Sequence, residues 1–225
     1  MTKLSIIIPT MNEEGSIGLV IDDINGSLSS TIDYEILVVD TNSKDRTREI
    51  ATSKGARVIE EPRRGYGRAY KTGFENAKGE VVATLDADRT YPAGRIAEMV
   101  GMLEAENLDF ITTNRFAEMQ PGAMNFTHKF GNWILAVSAR LLFRVKLRDS
   151  QSGMWVFRRA ALPMLSLASD GMAMSEEIKI EAFKKLRAKE IPIKYSPRIG
   201  EVKLNTWRDG KNNLKFLFKK RFGKV

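Results

Sequence analysis

Three apolar runs of strand length set the limits on this chain, because each stops at a polar residue or a proline. Leu4–Ile8 stops at Pro9, Tyr34–Val39 at Asp40, and Val81–Leu85 at Asp86. Runs this short and this apolar read as strands covered on both faces. Helical patterns fill the intervals from about Glu14 to Leu28, Asp45 to Lys54, Gly67 to Ala77 and Ala93 to Glu106. Arg57–Ile59 and Asp109–Thr113 read as further short strands. Repeated βα units of this kind imply an α/β fold, a mainly parallel sheet flanked by helices. Such sheets bind ligands beyond the carboxyl ends of their strands, where Pro9, Asp40 and Asp86 are expected.

Asp86-Ala87-Asp88 is the most chemically pointed of these ends. Alternation along an extended chain puts both carboxylates on one side. Two adjacent negative charges repel unless a proton or a cation joins them. A hard divalent ion carrying phosphates is one such cation. The structural alternative is that strand-end aspartates merely close turns. The chain has no cysteine and a single histidine, His128, so any metal must be held by oxygen, as Mg²⁺ or Mn²⁺ would be. His128 itself reads as a helix-start residue.

The second half differs in kind. Phe126, Phe130, Trp133, Ile134, Val137 and Leu141 recur at helical spacing, and Met154–Phe157 and Ile191–Tyr195 are strand-like. A helix is expected from about Ser175 to Leu186. The net charge of +8 is concentrated at the end: residues 203–225 carry eight Lys or Arg against Asp209 alone. Interleaved with Trp207, Phe216, Leu217, Phe218 and Phe222, these cations suit an in-plane helix on an anionic membrane surface. A solvated helix covering its own core is the plain alternative. A basic nucleic-acid module is disfavoured by the acidic strand ends and by the confinement of charge to one tail. No linker or repeat divides the chain, so one domain with two lobes, about 1–115 and 116–225, is expected. The longest uncharged stretch, Phe130 to Ala139, is ten residues and too short to span a bilayer. With no signal-like N-terminus, a cytosolic location is expected.

Gly65-Tyr66-Gly67 is a partial dinucleotide fingerprint that lacks the third glycine and a preceding strand, which disfavours a nicotinamide site. Taken in order, Ser5-Ile6-Ile7-Ile8-Pro9-Thr10-Met11-Asn12-Glu13-Glu14, Val38-Val39-Asp40-Thr41-Asn42-Ser43-Lys44-Asp45-Arg46-Thr47, Gly65-Tyr66-Gly67 and Asp86-Ala87-Asp88 resemble family 2 inverting glycosyltransferases of the GT-A fold. Asn114-Arg115-Phe116, Asp149-Ser150-Gln151-Ser152-Gly153-Met154, Glu177 and the run from Arg198 to Leu204 are similar to the polyprenyl-phosphate group, which includes dolichol-phosphate mannose and glucose synthases.

The resemblance implies a GT-A, Rossmann-like sheet with a C-terminal acceptor lobe and a basic amphipathic helix. It implies that Pro9, Thr10, Glu13 and Asp40 hold the nucleoside of GDP-mannose or UDP-glucose. Asp86 would lie near the ribose or diphosphate, and Asp86 and Asp88 would hold Mg²⁺ or Mn²⁺. Arg115, Ser152, Arg198 and Lys203 would hold the phosphate of a polyprenyl phosphate at the cytosolic membrane face. Met11, Thr41, Arg46 and Thr90 depart from the commoner residues of the family at their positions. A phosphate acceptor is largely dianionic at neutral pH, with a second pKa near ~6, and needs no general base. For an alcohol acceptor, soluble or polysaccharide, Asp149 is the candidate base, with a structural turn role as its alternative.

Overall fold

Side chains alternate across the central strands and feed two separate cores. In β1 (Leu4–Thr10), Leu4, Ile6 and Ile8 join one cluster and Ile7 the other. The same division holds in β2 (Tyr34–Asp40), where Ile36 and Val38 oppose Leu37 and Val39, and in β4 (Val81–Thr84), where Val81 and Ala83 oppose Val82. This period of two with both faces apolar is what a sheet sandwiched between helices requires. The computed structural model describes residues 3–28, 32–200 and 206–223.

The first core is covered by α1 (Ile17–Leu28) and α4 (Arg95–Ala105), the second by α3 (Tyr66–Asn76) and α6 (Met174–Lys185). A short α2 (Thr47–Ser53) connects β2 to β3 (Arg57–Glu60). The second half adds β5 (Phe110–Met119), α5 (Phe126–Phe143), β6 (Trp155–Arg158), β7 (Ala188–Tyr195) and α7 (Thr206–Arg221). The strands form one seven-stranded sheet in the order β3-β2-β1-β4-β6-β5-β7. β6 is antiparallel to both β4 and β5; the pairs β1/β2, β1/β4, β2/β3 and β5/β7 are parallel. Six strands therefore end on the same edge, and the connection entering β6 returns to that edge. The mainly parallel sheet expected from the sequence is present, and α5, α6 and α7 share a third small core around Leu135, Ile180 and Leu217.

Several strand limits differ from expectation: β7 begins at Ala188 rather than Ile191, and β1 and β5 run further than expected for clear reasons. β1 runs through Pro9 to Thr10. Ile7 O accepts from Leu85 N and Thr10 O from Thr41 N, so Pro9 faces the β4 side, where pairing already ends at Thr84. The missing N–H of proline removes no ladder bond there. β5 continues six residues past Thr113 because Glu118 and Met119 pair with Lys194 and Tyr195 after a register shift. Among the described residues no helix is long and apolar enough to cross a membrane.

Candidate active site

The loops after β1 and β2 form one stitched unit. Asn12 Oδ1 accepts from Lys44 N at 2.7 Å, Asn12 N donates to Ser43 Oγ at 2.8 Å, and Glu13 N donates to Thr47 Oγ1 at 2.7 Å. Asn12 has φ 55°, a left-handed conformation that asparagine tolerates. Asp40 is almost wholly buried beneath this unit. Its carboxylate accepts from Thr10 Oγ1 at 3.0 Å, from Ser43 N at 3.0 Å and from Ser43 Oγ. Thr10 and Asp40 thus shape the loops after β1 and β2 from below, while half-buried Glu13 stays at the surface of the edge.

Asp86 and Asp88 follow β4, beside β1, at the point where strand order reverses. Tyr66 Oη donates to Asp86 Oδ1 at 3.0 Å. Burial, and then the neighbouring Asp88 carboxylate, push Asp86 up to about 7. Asp88 Oδ1 accepts from Thr90 N at 3.1 Å and Thr90 Oγ1 at 2.7 Å, and Oδ2 accepts from Arg198 Nε at 2.8 Å. Thr90, one of the departures from the family pattern, therefore orients Asp88 through a local turn. Ile199 N donates to Asp88 O at 3.0 Å, which lays the Arg198 segment across the pair. The two carboxylates are hard oxygen donors of the kind a divalent ion takes, and Arg198, now on Asp88 Oδ2, would have to yield that oxygen to such an ion. No third carboxylate or histidine converges among the described residues, so phosphate oxygens and water would complete such a shell.

Arg115 and Asp149 make the opposite arrangement. Arg115 Nε and Nη2 donate to Asp149 at 2.7 and 2.9 Å, and Arg115 N donates to Asp149 Oδ2 at 3.0 Å. Gln151 N donates to Oδ1 at 3.0 Å. Although burial opposes ionisation, the Arg115 charge and these hydrogen bonds bring Asp149 down to about 2. A carboxylate so low, with both oxygens occupied, is a poor proton acceptor, which corrects the expectation of Asp149 as a base. Its work is to fix Arg115, whose guanidinium lies 5.3 Å over the Tyr195 ring and keeps Nη1 as its remaining donor. Ser152 is also placed differently from expectation: it is fully buried, its hydroxyl 2.5 Å from Thr113 Oγ1, and so supports the turn rather than facing a ligand. Lys203 lies outside the described residues.

Several participants were missed by sequence reasoning. Gly153 packs directly beneath the acidic pair: a Cβ there would collide with Tyr66 Oη and come within 3.0 Å of Asp86 Oδ1. Gly65 and Gly67, the partial dinucleotide fingerprint, admit the backbone of Ser169 and Asp170, and Gly67 N and Arg68 N donate to the carbonyls of Gly171 and Asp170. His128 lies in the first turn of α5, its backbone N–H capped by Asn125 Oδ1 at 2.8 Å. Between β5 and α5 lies a cleft of about 730 Å³ lined by Asn114, Phe116, Phe126, Phe130 and Trp133 together with Lys129, Arg140 and Arg148. No ion pair joins these three cations to a carboxylate among the described residues. Spacing could not reveal this cleft, because its cations come from both ends of α5 and from the segment before Asp149.

Comparison with known proteins decides the lineage. Residues 5–164 match the model of glycosyl transferase family 2. The chain belongs to this family. It is 37% identical over 217 residues to the low-salt glycan biosynthesis hexosyltransferase of Haloferax volcanii, covering 95% of this chain and 52% of that protein. It is 32% identical to the dolichyl-phosphate hexose transferase of the same organism, covering 92% and 89%. A dolichol-phosphate mannosyltransferase of Pyrococcus furiosus is 28% identical, covering 90% of this chain and 59% of its own length. The chain thus spans about half of the first of these relatives and most of the second. In fold it is similar to glucosyl-3-phosphoglycerate synthase of Mycobacterium tuberculosis, solved with Mn²⁺, uridine diphosphate and glucosyl-3-phosphoglycerate. The TM-score is 0.80 at 21% identity, covering all of this chain and 81% of that one. The same synthase has been solved with Mg²⁺ and uridine diphosphate. The GT-A expectation therefore holds, and the chain is a family 2 glycosyltransferase.

Proposed function

We propose that this enzyme transfers a hexose, with inversion, from a GDP- or UDP-linked sugar to a polyprenyl phosphate. The observation that carries the acceptor side is the cleft of Phe116, Phe126, Phe130 and Trp133 with Lys129, Arg140 and Arg148. Cations without a carboxylate partner among the described residues, beside an apolar floor, match an amphiphile with a phosphate head and a hydrocarbon tail, and guanidinium binds phosphate through parallel hydrogen bonds. The relatives named for dolichyl-phosphate hexose transfer support the same reading.

On this reading residues 1–115 hold the donor and residues 116–225 the acceptor. Glu13, Pro9 and Thr10 line the nucleoside side; Asp86 and Asp88 hold Mg²⁺ or Mn²⁺. The ion supplies charge neutralisation on the departing diphosphate. Arg115, held by Asp149, presents Nη1 to the acceptor phosphate, joined by Arg198 and Lys203. The phosphate is its own nucleophile, which agrees with the absence of a usable base at Asp149. Exposed Phe126, Phe130 and Trp133 on α5, Trp207 and Phe218 on α7 and Phe222 just after it would rest on the cytosolic face of the membrane, with basic residues toward anionic headgroups. The test is transfer from a panel of GDP- and UDP-sugars to a short polyprenyl phosphate with Mg²⁺ or Mn²⁺. Transfer from one donor is expected, falling about 10³-fold in Asp88→Ala. No transfer from any donor, or full activity in Asp88→Ala, would overturn the reading.

A further inference from the structure

The inward face of α7 carries two polar residues, Asn213 and Lys220, beside Leu214 and Leu217. Leu217 is fully buried and Leu214 half-buried, yet Asn213, one turn before Leu217, is only 5% exposed. A buried amide costs free energy unless its hydrogen bonds are made, so stability alone would favour leucine here. Asn213 Nδ2 donates to Gln151 Oε1 at 3.1 Å, and Gln151 Nε2 donates to Glu176 Oε2 on α6 at 2.9 Å. Gln151 N is also one of the donors that occupy Asp149 Oδ1. One residue therefore joins α7 to the carboxylate that fixes Arg115. Near its other end α7 is pinned by Lys220, whose Nζ lies 2.9 Å from Glu177 Oε1 and 3.0 Å from Glu181 Oε1. Two separated attachments set both the angle and the axial position of α7 over the 149–153 turn. Buried polar contacts of this kind are suited to specifying register.

We infer that α7 is a positioning element for transfer and that it acts through the Asn213–Gln151 hydrogen bond on the Asp149–Arg115 pair. Gln151 and Asn213 touch no reacting atom; they set where the Arg115 guanidinium stands. Loss of the bond leaves Lys220 and Leu217 to hold the helix, but releases the turn beneath it.

The inference rests on the proposed function for its kinetic arm only. Hydrogen exchange across residues 149–153 is measured in the full chain and in Asn213→Leu. Exchange at the Gln151 and Gly153 amides is expected to quicken about tenfold while residues 4–10 and 34–40 keep their protection. In the transfer assay kcat is expected to fall about tenfold with the nucleotide-sugar KM unchanged. Gln151→Leu is expected to act alike, and the double variant to fall no further than Gln151→Leu alone. Unchanged exchange at 149–153, additive losses in the double variant, or a kcat that falls only with the folded fraction would overturn the inference. A protein that transfers to no polyprenyl phosphate would fail the proposed function, while the exchange arm would still decide this one.

Discussion

The end of β4 and the turn before β6 each offer a buried or half-buried aspartate to the same edge of the sheet, and their environments are opposite. Asp149 meets four backbone or guanidinium N–H donors and falls to about 2. Asp86 meets one tyrosine hydroxyl and a second carboxylate, and rises to about 7. Asp149, enclosed with its counter-charge, is part of the framework; Asp86, which has no ion-pair partner among the described residues, is open to charge from outside, and Asp88 stands between the two, its Oδ2 paired with half-buried Arg198. The same contrast separates cations. Arg115 is enclosed and paired, whereas Lys129, Arg140 and Arg148 line an open cleft without carboxylate partners among the described residues.

The contrast breaks most sharply under neutralisation. Asp149→Asn leaves the Arg115 charge buried without its partner and is expected to destabilise the fold by about 3–5 kcal/mol. Asp86→Asn keeps the Tyr66 hydrogen bond and removes repulsion with Asp88, so its stability is expected to stay within about 1 kcal/mol of the parent. Urea midpoints of the two variants measure this difference, and equal losses would show the two aspartates to be alike.

Acid titration gives a smaller effect with a definite sign. Asp149 is lowered on folding from 3.8 to about 2, so its stabilisation is complete above the unfolded value and is lost as pH falls through about 2. The parent is therefore expected to lose stability between roughly pH 4 and 2 more steeply than Asp149→Asn, as read from urea midpoints across that range. Parallel curves would remove Asp149 from the framework role.

The first half of the fold was largely legible in the sequence because apolar runs ending at Pro9, Asp40 and Asp86 leave few alternatives to buried parallel strands. The fates of the individual aspartates were not legible. Asp40 closes a turn with Thr10 and Ser43, and only the fold shows that its oxygens are already occupied. Further along, β5 read short because Asn114 and Arg115 interrupt its apolar run, and its extension depends on β7 arriving alongside. Tyr66 and Gly153 meet Asp86 from segments far apart in sequence, a juxtaposition that no local pattern encodes.

The central claim is that Asp86 and Asp88 await a metal-bound diphosphate. Thermal unfolding with UDP or GDP, each with and without Mn²⁺, tests it without requiring an acceptor. Nucleotide plus Mn²⁺ at about 100 times its Kd is expected to stabilise the parent by about 2.7 kcal/mol, seen as a rise in Tm. Neither addition alone should match it, and Asp88→Ala should lose the rise. An equal rise in Asp88→Ala, or one that needs no divalent ion, would contradict the account.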